Sequence, residues 1–441
     1  MPLDPVLAEK LAVALEPAAP LSATPRDARL AAVPGKVHSV IGMRHAGKTT
    51  FLRQLLDARR AEFAPERAIY LSFDDDRLAG VGLEQLGYLL EAYYRAHPSL
   101  RGGCTVYWFL DEIQLIQDWE RFARRVLDTE RIELVVSGSS AQHLSREVHT
   151  SLRGRGMATT IRPFSFREYL RHRGEEPVRA AQRWTPAERS LVERRFSEYL
   201  VEGGFPEVQS LAAALRIELL QGYVDTVLFR DVVEWHGISQ IAAMRWVVRH
   251  CLRNPAGSLS VHRLHQDLRS QGLGVARDLV HAMLSHLTDA FLLSAVWLAT
   301  DSERQRNSNP RKVYPLDPGL IRAFDNSGRA NLGHALETVV LQELERRGAD
   351  VGYVKTEDGL EVDFLARYPA AGEELIQVCA DVTEEATLAR ELRALDSAAK
   401  AHRRAARLLL VLDRDSAKRV KASGVRALST PEWLLESARD E

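Results

Sequence analysis

The sequence predicts an α/β protein, and three observations lead to that class. Through about residues 30–165, short apolar runs alternate with segments of helical spacing, which indicates a parallel sheet with helical crossovers. The first run, Val37–Ile41, leads directly into a glycine-rich turn, and helical spacing follows over Thr49–Arg59. A second mixed α/β pattern covers residues 333–441. The remaining strands of the first pattern are expected at Ala68–Phe73, Val106–Leu110, Glu133–Val136 and Thr159–Arg162.

The composition is that of a globular protein without a membrane span. The 441 residues are enough for two to four domains of roughly 100–200 residues each. Lys plus Arg number 59 and Asp plus Glu 60, so the net charge of −1 argues against a uniformly basic nucleic-acid binder but leaves local patches open. The three cysteines lack zinc-site spacing, and no apolar run approaches the roughly 20 residues of a membrane span. The first residues do not read as a signal peptide, so we expect a cytoplasmic protein with reduced thiols.

The glycine-rich turn is a phosphate-binding motif. Gly42–Thr49 reads GMRHAGKT, a full match to GxxxxGK[ST], and it lies between a strand and a helix. Glycines let backbone N–H groups converge on phosphate oxygens, Lys48 supplies charge to the β- and γ-phosphates, and the Thr49 hydroxyl can ligate Mg²⁺. ATP and Mg²⁺ are therefore the predicted ligands. The residues expected to contact them here are Gly42, Arg44, Gly47, Lys48, Thr49 and Thr50.

Polar residues at the ends of two later strands complete the predicted nucleotide site. Asp111 and Glu112 follow an apolar strand, at the edge where α/β sheets bind ligands. Asp111 would hold Mg²⁺ together with Thr49, directly or through water, and Glu112 would polarise the attacking water. After the next strand, Ser137 or Ser139 is a candidate to position that water, and an ordinary turn is the alternative.

A basic turn before the last strand of this region is a candidate arginine finger. The run LRGR, Leu152–Arg155, follows a helical segment, and ring ATPases place at this point an arginine that contacts a neighbour's γ-phosphate. Arg155 is the first candidate and Arg153 the second. A solvated basic turn is the alternative interpretation.

Seven sequence runs, taken in order along the chain, resemble those of a prokaryotic AAA+-type ATPase family. They are GMRHAGKTTFL, LSFDDDRL, FLDEIQ, VVSGSSAQHLS, GRGMATTIRPFSFREYL, YLVEGGFPEV and YVDTVLFRDVVE. In this family the ATPase domain precedes a region that looks like a winged helix plus a PD-(D/E)xK nuclease-like fold. The resemblance implies ATP binding and hydrolysis within a homo-oligomer, for which a ring is one arrangement.

The element pattern and this resemblance together predict four parts. They are a P-loop ATPase core with an N-terminal helix at 1–165, a helical lid at 166–240, a winged-helix domain at 241–325 and a PD-(D/E)xK nuclease-like α/β domain at 326–441. The lid contains the turn GGFP at Gly203–Pro206.

The predicted winged-helix domain carries local positive charge. Residues 241–298 hold six arginines and three aspartates, a net charge of 6 − 3 = +3, in a helix–turn–helix pattern followed by a two-strand hairpin. Arg277 is predicted on the exposed face of the second helix, and Arg304 and Arg306 on a polar hairpin loop at Asp301–Lys312. We expect these three arginines to contact DNA phosphates. A winged helix used for protein contacts, as a lid or ring interface, is the alternative.

The C-terminal part has the element order of a PD-(D/E)xK nuclease but departs from its residues. Glu337 lies on the leading helix and Asp363 on the second strand, whereas Gln377 and Cys379 occupy the places of an acid and a lysine on the third. Lys355, on the neighbouring strand, is the candidate replacement for that lysine. A nuclease-like fold kept for nucleic-acid binding or assembly is therefore favoured. Segment 396–427, with nine basic and three acidic residues and a net charge of 9 − 3 = +6, is a further candidate for phosphate contact.

The sequence thus predicts a Mg²⁺-dependent, ATP-hydrolysing AAA+-type protein that binds and remodels duplex or branched DNA through its C-terminal half. Two alternatives stay open. One is a nucleotide-gated switch in a defence or toxin–antitoxin system, acting on a protein partner. The other is an active ATP-regulated nuclease.

Overall fold

The chain divides into two units, residues 1–162 and 163–441. The structure is a computed structural model, and it describes residues 2–16, 19–31, 33–138, 152, 154–325, 331–369 and 372–436. The predicted division into four parts is finer than this and stays a prediction.

The first unit is a parallel sheet with helices on both faces. Its strands are β1 Val37–Ile41, β2 Ala68–Ser72, β3 Val106–Asp111, β4 Ile132–Gly138 and β5 Gly156–Thr160. Its helices are α1 Pro5–Leu15, α2 Lys48–Glu62, α3 Leu83–Ala96 and α4 Trp119–Thr129. The strand order is β2-β3-β4-β1-β5, and every pairing is parallel, as the alternating pattern predicted.

Apolar side chains on both faces explain why these strands read as continuous hydrophobic runs. On one face Phe51 of α2 is buried in a cluster with residues of β1 and β3. On the other, the Trp108 ring of β3 contacts Tyr93 of α3 edge-on at 5.4 Å and Phe122 of α4 at 6.5 Å. Because β1, β4 and β3 pair in parallel, their carboxyl ends lie together at one end of the sheet.

The second unit is built around a mixed eight-stranded sheet. Its strands are β6 Ser258–Leu259, β7 Leu293–Leu298, β8 Arg311–Pro315, β9 Asp350–Lys355, β10 Glu361–Tyr368, β11 Gly372–Cys379, β12 Ala406–Val411 and β13 Arg426–Ser429. Its helices are α5 Phe166–His172, α6 Pro186–Glu202, α7 Ala213–Thr226, a π-helical segment Val227–Glu234, α8 Ile241–Arg253, α9 Val261–Ser270, α10 Arg277–Asp289, α11 Glu303–Ser308, α12 Pro318–Phe324, α13 Leu332–Arg346, α14 Glu385–Ala401, α15 Arg414–Arg419 and α16 Thr430–Leu435.

The sheet order is β13-β12-β11-β10-β9-β7-β8-β6. β7 joins the two halves of the sheet, because it pairs antiparallel with β8 and parallel with β9. Gly352 of β9 allows this close approach, since an added Cβ would lie 3.0 Å from the Ala299 Cβ and 3.1 Å from the Trp297 carbonyl oxygen. Helix α13 packs on one face of β10–β12 and α14 on the other.

Three local expectations were wrong. The stretch predicted as a polar hairpin loop contains helix α11, which begins after Ser302, whose hydroxyl accepts a hydrogen bond from the Gln305 N–H. The last strand of the first unit is Gly156–Thr160, three residues earlier than expected at its start. The short strands β6 and β13 were not anticipated.

Candidate functional site

The phosphate loop connects the end of β1 to the start of α2, and its glycines are required by its backbone. Gly42 has φ +146°, and a Cβ there would lie 2.1 Å from the Ile161 carbonyl oxygen. Gly47 precedes α2 in the left-handed region, with φ +97°. Arg44 and Thr50, also predicted to contact nucleotide, lie in the loop and in the first turn of α2 and are half-buried. The loop is therefore a curled segment that no Cβ-bearing residue at position 42 can reproduce.

Lys48 points back into this loop. Its side chain is buried, and its Nζ donates hydrogen bonds to the carbonyl oxygens of Gly42 at 2.9 Å and Met43 at 3.1 Å. An ammonium group held inside a curled loop at a helix N-terminus supplies positive charge where an anionic ligand would bind.

Asp111 is buried and is the centre of a hydrogen-bond network at the end of β3. Its Oδ2 accepts from the Thr49 hydroxyl at 2.8 Å and from the Tyr70 hydroxyl at 2.6 Å. Its Oδ1 accepts from the Ser137 hydroxyl at the end of β4. Burial and then the negative charge of Asp111 raise the pKa of Tyr70 above its ordinary value, so this phenol stays a hydrogen-bond donor. The predicted pair Thr49 and Asp111 is thus brought together.

Glu112, the residue after Asp111, has an unfavourable backbone conformation that the surrounding structure must stabilise. Its φ is +54°, in the left-handed region, which is unfavourable for a glutamate. The Glu112 N–H donates to the Ser137 hydroxyl at 3.3 Å, and the Gln114 amide donates to the Glu112 carboxylate. Ser137 therefore connects both acidic residues. The second serine candidate, Ser139, lies outside the described residues.

Arg155 lies at the amino ends of the strands, opposite the end that carries the phosphate loop. Its carbonyl oxygen accepts from the Val37 N–H at 2.8 Å, so it adjoins the start of β1, whereas the phosphate loop follows the end of that strand. Five strand residues separate the two ends by roughly 16 Å. The half-exposed guanidinium forms an ion pair with Asp128. The finger role toward a neighbouring subunit stays a prediction, and Arg153 lies outside the described residues.

In the second unit, a lysine lies among the acids of the region predicted to be nuclease-like. Lys312 of β8 is buried, and its Nζ lies 2.7 Å from Glu361 Oε1 and 3.1 Å from Asp363 Oδ1. The Tyr314 hydroxyl donates to Glu337 Oε2 at 3.2 Å. We call Lys312, Tyr314, Glu337, Glu361 and Asp363 the acid–lysine cluster.

The charges in this cluster shift one another's protonation. Burial acts to lower the pKa of Lys312, but the charges of Asp363, Glu337 and Glu361 outweigh it and raise the pKa. Burial, followed by the negative charge of Asp363, raises the pKa of Glu337 well above its ordinary value. The cluster therefore keeps its lysine charged and favours a proton on Glu337.

The candidate lysine named from the sequence is not the one found here. Lys355 is exposed, whereas Lys312 is the cation that contacts Asp363. Gln377 accepts from the Asp363 backbone N–H at 3.3 Å and donates to Glu391 of α14 at 2.6 Å. Cys379 is buried beside α14, and this burial raises the pKa of its thiol to about 11. Within the ranges that the structure describes, no group of three or more His, Cys, Asp or Glu residues is arranged to hold a metal ion.

The three arginines predicted to contact DNA are exposed. Arg277 is the first residue of α10, and Arg304 and Arg306 lie on α11. The Arg306 guanidinium lies 5.9 Å from the centre of the Trp297 ring. Their side chains are accessible to solvent.

Two residues of these sites were not predicted from the sequence. Tyr70 lies in β2, next to β3 in the sheet, and its only sequence signal was a polar atom in an apolar strand. The sequence predicts Lys312 at the end of the polar hairpin loop Asp301–Lys312. Its burial depends on contacts with strands some 50 residues later in the chain, which no local pattern reveals.

The fold and the phosphate site define an AAA-type P-loop protein, and residues 34–170 match the model of the AAA domain. Residues 193–331 match a domain of unknown function, DUF8612. The chain is 32% identical over 381 residues to the uncharacterized protein MJ1544 of Methanocaldococcus jannaschii, covering 85% of this chain and 81% of that protein. The chain belongs to the same family as MJ1544.

More distant similarities exist as well. An uncharacterized protein of Haemophilus influenzae is 26% identical over 330 residues, 74% of this chain and 78% of that protein. The solved structure of the Walker-type ATPase PABY2304 of Pyrococcus abyssi aligns with 73% of this chain and 95% of its own, at 12% identity and a TM-score of 0.43, too remote to indicate a function. Among the helices described, none is long and apolar enough to cross a membrane.

Proposed function

We propose that this chain binds ATP with Mg²⁺ and hydrolyses the γ-phosphate. The observation that carries the proposal is the 2.8 Å hydrogen bond between the Thr49 hydroxyl and Asp111, beside a phosphate loop with a buried lysine. Thr49 and Asp111 would hold Mg²⁺, whose charge, when bound, orients the phosphates and offsets their negative charge. The oxygen donors present are those that Mg²⁺ prefers.

The side chains around this site have separable roles. Lys48 exchanges its two carbonyl partners in the loop for phosphate oxygens. Glu112 accepts a proton from the attacking water, for which its carboxylate must leave the Gln114 amide. Ser137 holds the Glu112 backbone and the Asp111 carboxylate in a fixed relation.

The test is Glu112→Gln. We expect ATP turnover to fall by roughly 10²–10⁴-fold, the usual contribution of a general base, while ATP binding is retained. Glu62→Gln, an exposed change at the end of α2, is the matched control and should hydrolyse normally. Normal turnover in Glu112→Gln would contradict the assignment.

DNA binding through the second unit is the next part of the proposal. Helices α9 and α10 followed by the β7–β8 hairpin, with β6 paired to β8, give the element order of a winged helix. Exposed Arg277, Arg304 and Arg306 supply phosphate contacts. Changing Arg304 and Arg306 to Glu should weaken DNA binding and flatten its salt dependence. An equivalent control that changes Arg179 and Arg183 to Glu should not, and equal binding in both variants would refute these contacts.

The nuclease-like part, in this proposal, binds nucleic acid or supports assembly and does not cleave. Lys312 supplies the positive charge among Glu337, Glu361 and Asp363 that a divalent metal would otherwise supply. A divalent-metal-dependent cleavage assay on the parent, with Asp363→Ala as control, tests this. Cleavage that disappears in Asp363→Ala would overturn it.

The work done by hydrolysis is proposed to be DNA remodelling in an oligomer, with Arg155 reaching a neighbour's nucleotide. The location of Arg155, far from its own phosphate loop and half-exposed, supports a role in trans. ATP turnover should rise with single-stranded, duplex or branched DNA and should depend on protein concentration. Turnover unaffected by any DNA would contradict remodelling and favour a nucleotide-gated switch.

A further inference from the structure

Helix α8 presents a row of three arginines. Arg245, Arg249 and Arg253 are spaced by four residues and are all exposed. Four residues of α-helix rise roughly 6 Å, so the three guanidinium groups follow one another along one face of the helix. We call them the arginine row.

The arginine row borders a cleft of about 230 Å³. The apolar floor of the cleft includes Val224, Leu228 and Val248, all buried. Asp225 is the one acidic residue among the described residues that line it, so the lining carries a net charge of 3 − 1 = +2. The cleft lies within residues 193–331, the segment that matches a domain of unknown function.

None of the three arginines forms an ion pair with a described residue. Arg245 lies over the Phe229 ring, 4.9 Å from its centre, and Arg253 Nε donates to the Phe324 carbonyl oxygen at 3.2 Å. Elsewhere in this unit arginines are paired with acids, as Arg195 is with Glu175 at 2.6 Å. The row therefore concentrates positive charge that the described part of the chain does not neutralise.

We propose that this cleft binds successive phosphates of a nucleic-acid strand. Arginine donates two parallel hydrogen bonds to a phosphate, and a row with rises of roughly 6 Å between arginines suits a regularly repeating polyanion. The apolar floor suits sugar or base carbon atoms, as in grooves that track a strand. An acidic protein segment is the competing polyanion, but its carboxylates do not repeat at fixed spacing. The inference rests on the proposed DNA binding and adds a surface distinct from Arg277, Arg304 and Arg306.

The test uses the full chain carrying Arg245→Gln, Arg249→Gln and Arg253→Gln together. The matched control changes Arg179, Arg183 and Arg194, exposed arginines of the same unit, to Gln. Binding of fluorescent single-stranded DNA, duplex DNA and polyglutamate is measured over a range of salt concentrations. ATP turnover, which should equal that of the parent, reports that each variant is folded.

Because the variant removes three charges that would each bind a phosphate, the slope of log affinity against log salt should become shallower by roughly 2 for single strands or roughly 3 for duplex DNA. Whichever DNA shows the change identifies the form bound. If the parent binds DNA and the arginine-row variant keeps its slope, the inference fails alone. If the parent binds no DNA, the proposed DNA function fails with it. Loss of polyglutamate binding with DNA binding intact would overturn the inference in favour of an acidic protein partner.

Discussion

Asp317 is a buried carboxylate whose protonation should set the pH dependence of the second unit. It is 1% exposed, and its two oxygens accept from the backbone N–H groups of Gly204 at 2.7 Å and Gly319 at 2.8 Å. Gly203, with φ +76°, leaves room for this carboxylate, because a Cβ there would lie 1.9 Å from Asp317 Oδ1. The GGFP turn is therefore built around Asp317.

Burial raises the pKa of Asp317 from 3.8 to about 6, against the opposing effect of the two N–H donors. Between these values the folded chain keeps a proton that the unfolded chain has released, so the free energy of unfolding falls as the pH rises through this window. The full interval corresponds to about 3 kcal/mol. Between about pH 4 and pH 7 the loss is about 2 kcal/mol, because part of the unfolded population is already ionised at pH 4.

Comparing the parent with Asp317→Asn isolates this effect. Asparagine has one acceptor oxygen for two donors, which destabilises the variant equally at every pH, so only the pH-dependent difference matters. Urea unfolding should show the parent's advantage over Asp317→Asn shrinking by about 2 kcal/mol from about pH 4 to pH 7. The exposed control Asp301→Asn should show no such change. A pH-independent difference for Asp317→Asn would refute the reasoning.

Two further substitutions test the two sites. Lys312→Met leaves Asp363 buried without its cation and should reduce the free energy of unfolding by about 3–5 kcal/mol. Adding Asp363→Asn should recover part of that loss. No recovery in urea unfolding would contradict the pairing. Tyr70→Phe removes one of the donors that orient Asp111 and should raise the Mg²⁺ concentration for half-maximal ATP turnover roughly tenfold. ATP binding without metal should be unchanged. An unaltered Mg²⁺ dependence would show that Tyr70 does not position the Asp111 carboxylate.

The first unit could be predicted largely from sequence because its determinants are local. The run Val37–Ile41 followed by GMRHAGKT specifies a strand, a loop and a helix within a short stretch of chain. Thr49 and Asp111 lie 62 residues apart, yet their meeting follows from one rule: parallel strands present their carboxyl ends at the same edge.

The contacts of Tyr70 and Lys312 could not be predicted in that way. Tyr70 reaches Asp111 because β2 adjoins β3, and nothing in the β2 sequence specifies that neighbour. In the sequence, Lys312 ends the predicted polar hairpin loop, and only its position in β8 of the eight-stranded sheet accounts for its burial. The sequence predicted Lys355, on the strand next to that of Asp363, as the replacement lysine. The structure instead places Lys312 beside Asp363, and its strand β8 precedes the predicted nuclease-like domain.

The position of Lys312 on β8 affects the stability of the second unit. β8 and β10 are separated by β7 and β9 in the sheet, which in a flat sheet would place them roughly 14 Å apart. The long Lys312 side chain nevertheless brings its Nζ to 3.1 Å from Asp363 Oδ1, so this ion pair links β8 to β10 across the two intervening strands. One apolar cluster also joins residues from Phe164 to Leu434. A fragment beginning at 326 would lose β8 and with it the cation, leaving Asp363 and Glu337 as uncompensated neighbouring acids, so the elements predicted to be nuclease-like depend on β8 for their stability.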